Sequence, residues 1–281
     1  MNIRLSTPAD IPAMRRLWTL AFGDGGSYLD NFFHTYYRPE RMIVLEQNGA
    51  VQAMTAWFDT TFVLPGQGEF RAAYLYAVAT DPDFRGQGLA GKLLAWADEH
   101  FRTLGIPVVT TVPAEPSLHR FFAANGFSEC FCHDELRFEG TPADGPAPAL
   151  RPLSPADYGA LRETLLEGTA HIRFPEDALT YQHGCCTISG GGLYAVETEQ
   201  GVALLCAEGL SDGSLLLKEL LGAPEARRIT LESLPKILPN FSGIYRIPGR
   251  KIPFGMIKWL GAPQQNVLNF EHSAYLGLAF D

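Results

Sequence analysis

The sequence predicts an α/β (α+β) protein with a mixed central sheet, in which the second half repeats the element order of the first. Three observations lead to this prediction. A buried strand, a glycine-rich turn and an amphipathic helix follow one another between Tyr74 and Leu104. The elements up to Phe138 follow the order β-α-α-β-β-β-α-β-α-β. That order begins again after a proline-rich segment, so we expect two related lobes.

Residues 74–80 are apolar and aromatic and end at the turn signal Asp81-Pro82, which is typical of a buried strand. The helix that follows carries an apolar stripe at helical spacing, which includes Leu89 and Leu93. Gly105 supplies a C-terminal stop. Together these segments predict the central strand and the helix that packs against it.

The chain opens with a predicted strand at residues 2–5. The motif Thr7-Pro8-Ala9-Asp10 then indicates a helix start, with a cap, a proline at the first helical position and an acid in the first turn. A second helical segment at residues 28–37 is rich in aromatic side chains, which either pack in the core or line a ligand pocket. These side chains are Phe32, Phe33, Tyr36 and Tyr37.

Residues 42–56 form a predicted hairpin around Asn48-Gly49, the dipeptide that favours a type I′ turn. After the helix of the glycine-rich motif, residues 106–112 are β-branched and are expected to run parallel to the central strand. A short helix at 117–124 and a strand at 131–138 complete the predicted first sheet.

The turn between the central strand and its helix has the composition of an anion-binding site. Gly86 and Gly88 leave backbone N–H groups uncovered at the start of a helix, where the helix dipole favours negative charge. Arg85 adds a positive charge. We therefore expect residues 85–91, called the glycine-rich turn below, to bind phosphate.

Other interpretations of the same glycines stay open. Gly86-x-Gly88-x-x-Gly91 matches the dinucleotide-binding fingerprint, although there the first glycine follows the strand almost at once, and here about half a dozen residues intervene. Gly86-x-x-x-x-Gly91-Lys92 is close to a Walker-type loop, but Leu93 stands where a Ser or Thr would bind Mg²⁺. A tight turn without a ligand is the remaining alternative.

The stretch Val78-Ala79-Thr80-x-Pro82-x-Phe84-Arg85-Gly86-Gln87-Gly88-Leu89-Ala90-x-x-Leu93 resembles the acetyl-CoA motif of the GNAT superfamily of N-acetyltransferases. The family signature, Arg/Gln-x-x-Gly-x-Gly/Ala, is met by Arg85, Gly88 and Ala90. The resemblance implies the GNAT fold, acetyl-CoA as co-substrate, no metal, and turn amides that hold the CoA pyrophosphate. The residues expected to bind the cofactor are Val78, Ala79, Thr80, Arg85, Gly86, Gln87, Gly88, Leu89, Ala90, Gly91 and Ser117.

The resemblance also implies direct transfer, in which a backbone N–H near Val78 polarises the thioester carbonyl. Glu115, just past the strand at 106–112, is a candidate base or CoA contact. Many GNAT enzymes use a tyrosine as the acid, but Phe122 stands at that position before Gly126-Phe127. The remaining candidates for the acid are Ser117, His119 and a water molecule, and departure of the thiolate without an acid is the other alternative.

The proline-rich residues 140–155 lack periodicity, which is typical of a linker. We therefore divide the chain into a catalytic GNAT domain at 1–140, a linker at 141–154 and a second domain at 155–281. In the second domain the Arg151–Asp157 segment echoes Arg4 to Asp10, and a later hairpin echoes the first.

Leu215–Leu221 stands where the central strand of the second domain is expected, but the turn after it has lost the second glycine and gained Glu225. We therefore expect a degenerate GNAT-like lobe that does not hold CoA. This layout resembles the enhanced-intracellular-survival type of GNAT protein without its sterol-carrier-like domain. In that type the terminal carboxylate, here Asp281, reaches the catalytic site. A C-terminal strand that completes the second sheet is the alternative.

The 281 residues are 46% hydrophobic and 19% charged, which is typical of a globular chain, and the formal net charge is −9. The negative charge argues against partners such as nucleic acid or an anionic membrane. No secretory signal or membrane span is visible. The five cysteines lack a metal-site spacing, since alternate strand positions explain Cys130-x-Cys132, so we expect a reducing, cytoplasmic setting.

These observations predict an N-acetyltransferase that moves an acetyl group from acetyl-CoA to a primary amine of a small molecule or peptide. The acidic chain favours a cationic acceptor. A homo-oligomer is a possible assembly. A non-catalytic CoA-binding or scaffolding protein is the main alternative, because Phe122 removes the usual acid. A nucleotide or dinucleotide binder that uses the same glycines is the third.

Overall fold

A computed structural model of the chain describes residues 1–140, 147–238, 242–261 and 274–280. The elements of the first half follow the expected order. They are β1 Asn2–Leu5, α1 Ile11–Phe22, α2 Ser27–Asn31, β2 Met42–Gln47, β3 Ala50–Leu64, β4 Gly68–Thr80, α3 Leu89–Thr103, β5 Val108–Thr111, α4 Pro116–Ala124 and β6 Ser128–Glu139.

The second half contains the expected hairpin, central strand and helix, preceded by two helices. Its elements are β7 Ala149–Pro152, α5 Pro155–Leu165, β8 His171–Arg173, α6 Glu176–Ile188, β9 Gly192–Thr198, β10 Gly201–Gly209, β11 Leu215–Leu221, α7 Pro224–Ile237, β12 Ser242–Pro248 and β13 Ile252–Trp259.

The described residues form two compact units. Unit 1 contains Met1–Cys130 and residues 254–261, and unit 2 contains the described part of Phe131–Pro253 and residues 274–280. Unit 1 therefore includes a segment from the second half of the chain. The domain limits that we derived from the linker composition stay a prediction.

The sheet of unit 1 has the strand order β1-β2-β3-β4-β5-β13, in which β4 and β5 are parallel and all other neighbours are antiparallel. The predicted parallel pair and the predicted hairpin are confirmed. Asn48 and Gly49 both have positive φ, at 51° and 76°, as a type I′ turn requires. The central strand β4 is longer than predicted. It begins at Gly68, because its ladder with β3 starts at the pair Leu64–Gly68.

The sheet of unit 2 repeats this arrangement in the order β7-β9-β10-β11-β12-β6, with β11 and β12 as the parallel pair. The predicted repeat is thus confirmed in topology. The prediction that residues 131–138 complete the first sheet is wrong. In β6, His133–Glu139 pair with β12, while β5 of unit 1 pairs with β13. Apolar patterning marks a strand as buried but does not select its partner.

Helix α3 covers one face of the unit 1 sheet. Its buried residues pack with alternate residues of the strands, such as Ala73 and Leu75 of β4. Lys258 of β13 donates hydrogen bonds to Asp98 of α3 and to the carbonyl oxygen of Asn125, the latter at 2.7 Å. The buried residues of α3 are Leu89, Leu93, Leu94, Ala97, Asp98 and Phe101.

Residues 274–280 are buried in unit 2, but they make isolated bridges and not a strand ladder. The prediction of a C-terminal strand that completes the second sheet is wrong in this respect. Buried side chains hold the segment instead: Arg162 donates to the carbonyl oxygen of Leu276 at 3.1 Å, and Lys218 donates to that of Ala279 at 3.0 Å. Asp281, a predicted catalytic residue, lies outside the described residues.

We expect Gly277→Ala to destabilise the protein more than Gly190→Ala. Both glycines have φ near +80°, where an L-residue costs roughly 1–2 kcal/mol. A Cβ at Gly277 would also collide with the carboxylate of Glu219 and come within 3.0 Å of Arg162, which adds roughly 1–3 kcal/mol, whereas one at Gly190 meets no atom within 4 Å. Urea unfolding of both variants measures the difference, and equal losses would contradict the crowded position of Gly277.

Candidate functional site

Strand β4 loses its parallel neighbour part-way along its length. Its ladder with β5 ends at the pair Leu75–Thr111, whereas its ladder with β3 continues to Thr80. Among the described residues, the last part of β4 is therefore paired on one edge alone. Backbone groups that point towards β5 beyond this place are available to a ligand.

A β-bulge lies in this half-paired part of β4. Met54 and Ala56 of β3 pair with Ala79 and Tyr76, so β4 contains one extra residue. Ala77 has φ of 51°, a left-handed conformation that costs a non-glycine residue roughly 1–2 kcal/mol. Such strain persists where the surroundings impose it and is concentrated at functional sites.

The glycine-rich turn joins β4 to α3 and is exposed from Arg85 to Gly88. Gly86 and Gly88 have φ of 77° and 72°, and a Cβ at either would meet no atom within 4 Å, so the space beside them is open. Gly88 is the N-cap of α3 and provides no side-chain cap. The Arg85 Nε donates to the carbonyl oxygen of Thr80 at 3.2 Å, which fixes its guanidinium beside the end of β4.

The amides of the turn are oriented but unpaired. Within the described residues, no acceptor receives a hydrogen bond from the backbone N–H groups between Gly86 and Gly91. The first intrahelical bond of α3 is made by Lys92, whose N–H donates to Gly88. A row of donors at a helix N-terminus is the arrangement that binds phosphate, and Lys92 itself is exposed on the outer face of the helix.

A buried carboxylate braces the start of the turn. Asp81 accepts from Arg16 of α1 at 2.8 Å and from the N–H of Asp83 at 3.1 Å, while its own N–H donates to Gln52 of β3. The hydrogen bond from Arg16 lowers the pKa of the Asp81 carboxyl below its ordinary value. The turn is thus tied to α1 and β3 before any ligand binds.

The segment after β5 carries the predicted acid–base residues. Glu115 is the N-cap of α4, and both Glu115 and Ser117 are exposed, with the Ser117 hydroxyl 3.3 Å from the Glu115 carboxylate. The Phe122 ring is buried against Phe127, with 5.5 Å between centroids. Sequence reasoning did not foresee that His119 is paired, its Nδ1 lying 2.6 Å from a carboxylate oxygen of Glu129.

The structure brings most of the predicted cofactor residues into one continuous stretch. Val78 is half-buried next to the bulge, and Ala79 is buried in the ladder with β3. The Leu89 side chain lies in the core, so that residue can offer a ligand its backbone N–H alone. A Cβ at Gly91 would lie 3.4 Å from the amide oxygen of Asn125, an ordinary van der Waals contact.

An aromatic cluster covers the opposite face of β4. Trp18 of α1 lies 4.8 Å from Phe32 and 5.3 Å from Tyr76, measured between ring centroids. The sequence left open whether the aromatic side chains pack in the core or line a pocket. Most of them lie in the core, and two are accessible. The buried members are Trp18, Phe32, Tyr36 and Tyr37, and the half-buried members are Phe33 and Tyr76.

The corresponding turn of unit 2 has a different geometry. Gly222 and Ala223 alone separate β11 from α7, and a Cβ at Gly222 would lie 2.6 Å from the carbonyl oxygen of Val202. Helix α7 begins with Pro224, which has no N–H, followed by the acidic Glu225. Unit 2 thus differs from unit 1 by a missing N–H at the first helical position, an acidic side chain beside it and a glycine without open space.

The described residues contain no group of three or more His, Cys, Asp or Glu side chains that could hold a metal ion. Cys130 and Cys132 are buried on β6. No helix in the described parts of the chain has the length and apolarity needed to cross a membrane.

Comparison with known proteins identifies the first half of the chain. Residues 2–125 match the family model described as "Acetyltransferase (GNAT) domain", and no curated protein matches the chain. The structure is similar to that of a GCN5-related N-acetyltransferase from Anabaena variabilis, with a TM-score of 0.72 and 13% identity. That similarity covers 92% of this chain and 73% of the other.

Two further structures extend the comparison. Eis1 from Mycobacterium abscessus has a TM-score of 0.65 and 14% identity, with 92% of this chain and 74% of that chain covered. A putative acetyltransferase from Pyrococcus horikoshii has a TM-score of 0.58 and 11% identity, with 98% and 94% covered. At such identities the similarity shows the fold, and it includes both units. The expected resemblance to two-lobed GNAT proteins is confirmed.

We expect Asp81→Asn to lower the free energy of unfolding at pH 7 by about 0.5–1 kcal/mol, because it removes the charge that pairs with Arg16. The folded-state pKa of Asp81 lies below the unfolded value, so the stabilisation is present above about pH 4 and is lost as pH falls through the folded-state pKa. Urea unfolding at pH 7 and pH 3 should therefore show the wild type and the variant converging in acid. Asp83→Asn, at an exposed carboxylate, is the control.

Proposed function

Because residues 2–125 form a GNAT acetyltransferase domain, we propose that this chain is an N-acetyltransferase that transfers the acetyl group of acetyl-CoA directly to a primary amine. The observation that carries the proposal is the arrangement between Tyr76 and Gly91. A half-paired strand with a bulge ends in a turn of unpaired amides at the start of a helix. The strand end of this stretch suits the carbonyl oxygen of a thioester, and the turn at its other end suits a phosphate.

The glycine-rich turn fits the pyrophosphate of CoA. The open space beside Gly86 and Gly88 lets phosphate oxygens approach the backbone, and the N–H groups up to Gly91 have no competing acceptor in the described residues. Arg85 contributes a full positive charge from its tether to Thr80. Gln87 and Ala90 would take part through their backbone N–H groups.

Bound acetyl-CoA would supply an activated acyl thioester. The chain's contribution at the reacting carbon would be a backbone donor near Val78, on the edge of β4 that lies beyond the ladder with β5. Because this donor is fixed by the strand, it need not reorganise during the reaction. Ala79 and Thr80 continue the same edge towards the turn, where the pantetheine portion of CoA would lie.

Proton transfer requires groups other than the usual tyrosine. The Phe122 ring is buried among apolar side chains and has no proton to give. Glu115 and Ser117 at the start of α4 are exposed and adjacent, and we keep them as the candidate base and acid, with the paired His119 as the alternative acid. The terminal carboxylate of Asp281 remains a candidate from the family resemblance alone.

The proposed acceptor is an amine of a small molecule or peptide. The net charge of −9 favours a cationic acceptor, and the half-buried ring of Tyr76 offers it apolar contact on the face of β4 opposite α3, whereas the Phe33 ring already has the Arg15 guanidinium 5.4 Å from its centroid. A non-catalytic CoA-binding protein is the second candidate, and the burial of Phe122 is the observation that favours it.

We expect calorimetric titration to show one equivalent of acetyl-CoA bound per chain. The combined change Arg85→Ala with Gly88→Trp should weaken binding at least about 100-fold, because the indole fills the space for the phosphates and the charge is lost. Gly213→Trp is the matched control, since Gly213 in unit 2 also has positive φ and a Cβ there meets no atom within 4 Å. Binding of two equivalents, or equal binding by both variants, would contradict a single site in unit 1.

We also expect free CoA to be released when an amine acceptor is supplied. A thiol-release assay over a polyamine, an aminoglycoside and a peptide with a free N-terminus should give turnover with one class, and mass spectrometry should show the acetylated amine. Glu115→Gln should lower kcat by roughly 10²-fold if Glu115 is the base. Tight binding of acetyl-CoA without release for any amine would support the non-catalytic alternative.

A further inference from the structure

Thr55 lies directly opposite the bulge of β4. We propose that Thr55 is a positioning residue, whose buried hydroxyl holds the bulge so that the donor near Val78 faces the thioester carbonyl. This inference rests on the proposed acetyl transfer. Thr55 lies on β3, far in sequence from the glycine-rich turn.

The register places a single residue of β3 against two residues of β4. Met54 pairs with Ala79 and Ala56 with Tyr76. Thr55 therefore lies opposite both Ala77 and Val78. An antiparallel ladder loses a regular backbone hydrogen bond at such a place. The Thr55 Oγ1 lies 3.1 Å from the carbonyl oxygen of Tyr76 and 3.1 Å from that of Ala56, so its O–H supplies a donor where the ladder is interrupted.

Burial makes this hydrogen bond a constraint on the backbone. The Thr55 side chain is fully buried, and a valine at this position would take away the hydroxyl donor of the Tyr76 carbonyl. Tyr76 immediately precedes Ala77, the residue in the left-handed conformation. Fixing that carbonyl fixes the peptide plane that leads into the bulge, and hence the direction of the following N–H groups.

The constraint should act on the chemical step more than on binding. The phosphate-binding amides lie in the turn beyond Thr80, which is braced separately by Asp81 and Arg16. Loss of the Thr55 hydroxyl would let the peptide near Val78 rotate while the turn keeps its geometry. We therefore expect a decrease in kcat with little change in KM for acetyl-CoA.

The chain offers a matched control on the same pair of strands. Thr60 of β3 is also buried, and its Oγ1 donates to the carbonyl oxygen of Ala72 on β4 at 3.2 Å. Thr60 and Ala72 pair in regular register, away from the bulge. Thr60→Val removes the same kind of hydrogen bond without touching the bulge, so it separates a local structural loss from a positioning effect.

The experiment compares Thr55→Val, Thr55→Ser and Thr60→Val with the wild type. Thiol release is measured with acetyl-CoA and whichever amine of the panel reacts fastest. We expect Thr55→Val to lower kcat at least tenfold with KM for acetyl-CoA within twofold, while Thr55→Ser and Thr60→Val stay within about threefold of wild-type kcat. Equal kcat for Thr55→Val and Thr60→Val would overturn the proposal, as would a rise in KM that accounts for the whole loss.

Hydrogen–deuterium exchange of the ligand-free chain provides a readout that does not depend on turnover. Peptides covering residues 76–80 should exchange faster in Thr55→Val than in the wild type. Their exchange rate in Thr60→Val should equal that of the wild type. If the wild type releases no thiol, the proposed function fails and the exchange data alone decide whether Thr55 holds the bulge. Equal exchange in the two valine variants would overturn that claim.

Discussion

The organisation of the candidate site depends on where strand pairing stops. β4 keeps its antiparallel ladder with β3 to Thr80, but its parallel ladder with β5 ends at Leu75. The ladder with β3 holds one edge of the strand, and the backbone groups on its other edge are available to a ligand. The bulge at Ala77 adds a local rotation of the backbone to this half-paired stretch. The proposed donor near Val78 and the approach to the proposed phosphate site both depend on this single feature of the sheet.

The glycine-rich turn is preorganised by contacts outside itself. Leu89 and the apolar stripe of α3 are buried against the sheet, so the first turn of the helix has a fixed direction. Asp81 ties the preceding residues to α1 and β3. The unpaired amides therefore point into open space without support from a ligand, and an anion can bind without the entropic cost of ordering the loop.

Unit 2 has the same strand arrangement and places buried charges on its central strand. β11 occupies the position of the central strand, and two of its residues, Lys218 and Glu219, are buried charges. Glu219 accepts from Arg162 at 3.0 Å and from the Tyr158 hydroxyl at 2.6 Å, and burial with this carboxylate raises the pKa of Tyr158 well above its ordinary value. Buried ion pairs of this kind add specificity more than stability, and here they hold residues 274–280.

Local patterns in the sequence determined the elements and the glycine-rich turn. Hydrophobic periodicity marked α3, Asn48-Gly49 marked the hairpin, and Gly86 with Gly88 marked the turn proposed to bind phosphate, because each depends on neighbours within a few residues. The family motif then supplied the GNAT fold. Aromatic burial at Phe32 and Tyr36 also agreed with helical spacing.

The tertiary structure alone decided which strands meet and where they separate. β6 pairs in unit 2 and β13 in unit 1, although neither segment carries a pattern that names its partner strand. The bulge at Ala77 has no signal in the sequence, since it arises from the register of β3 against β4 and carries no glycine. Thr55 and Arg16 lie on elements that are distant in sequence from the glycine-rich turn. Their contacts with the site therefore also have no signal in the local sequence. Register and long-range pairing depend on the summed packing of whole faces, which a window of residues does not contain.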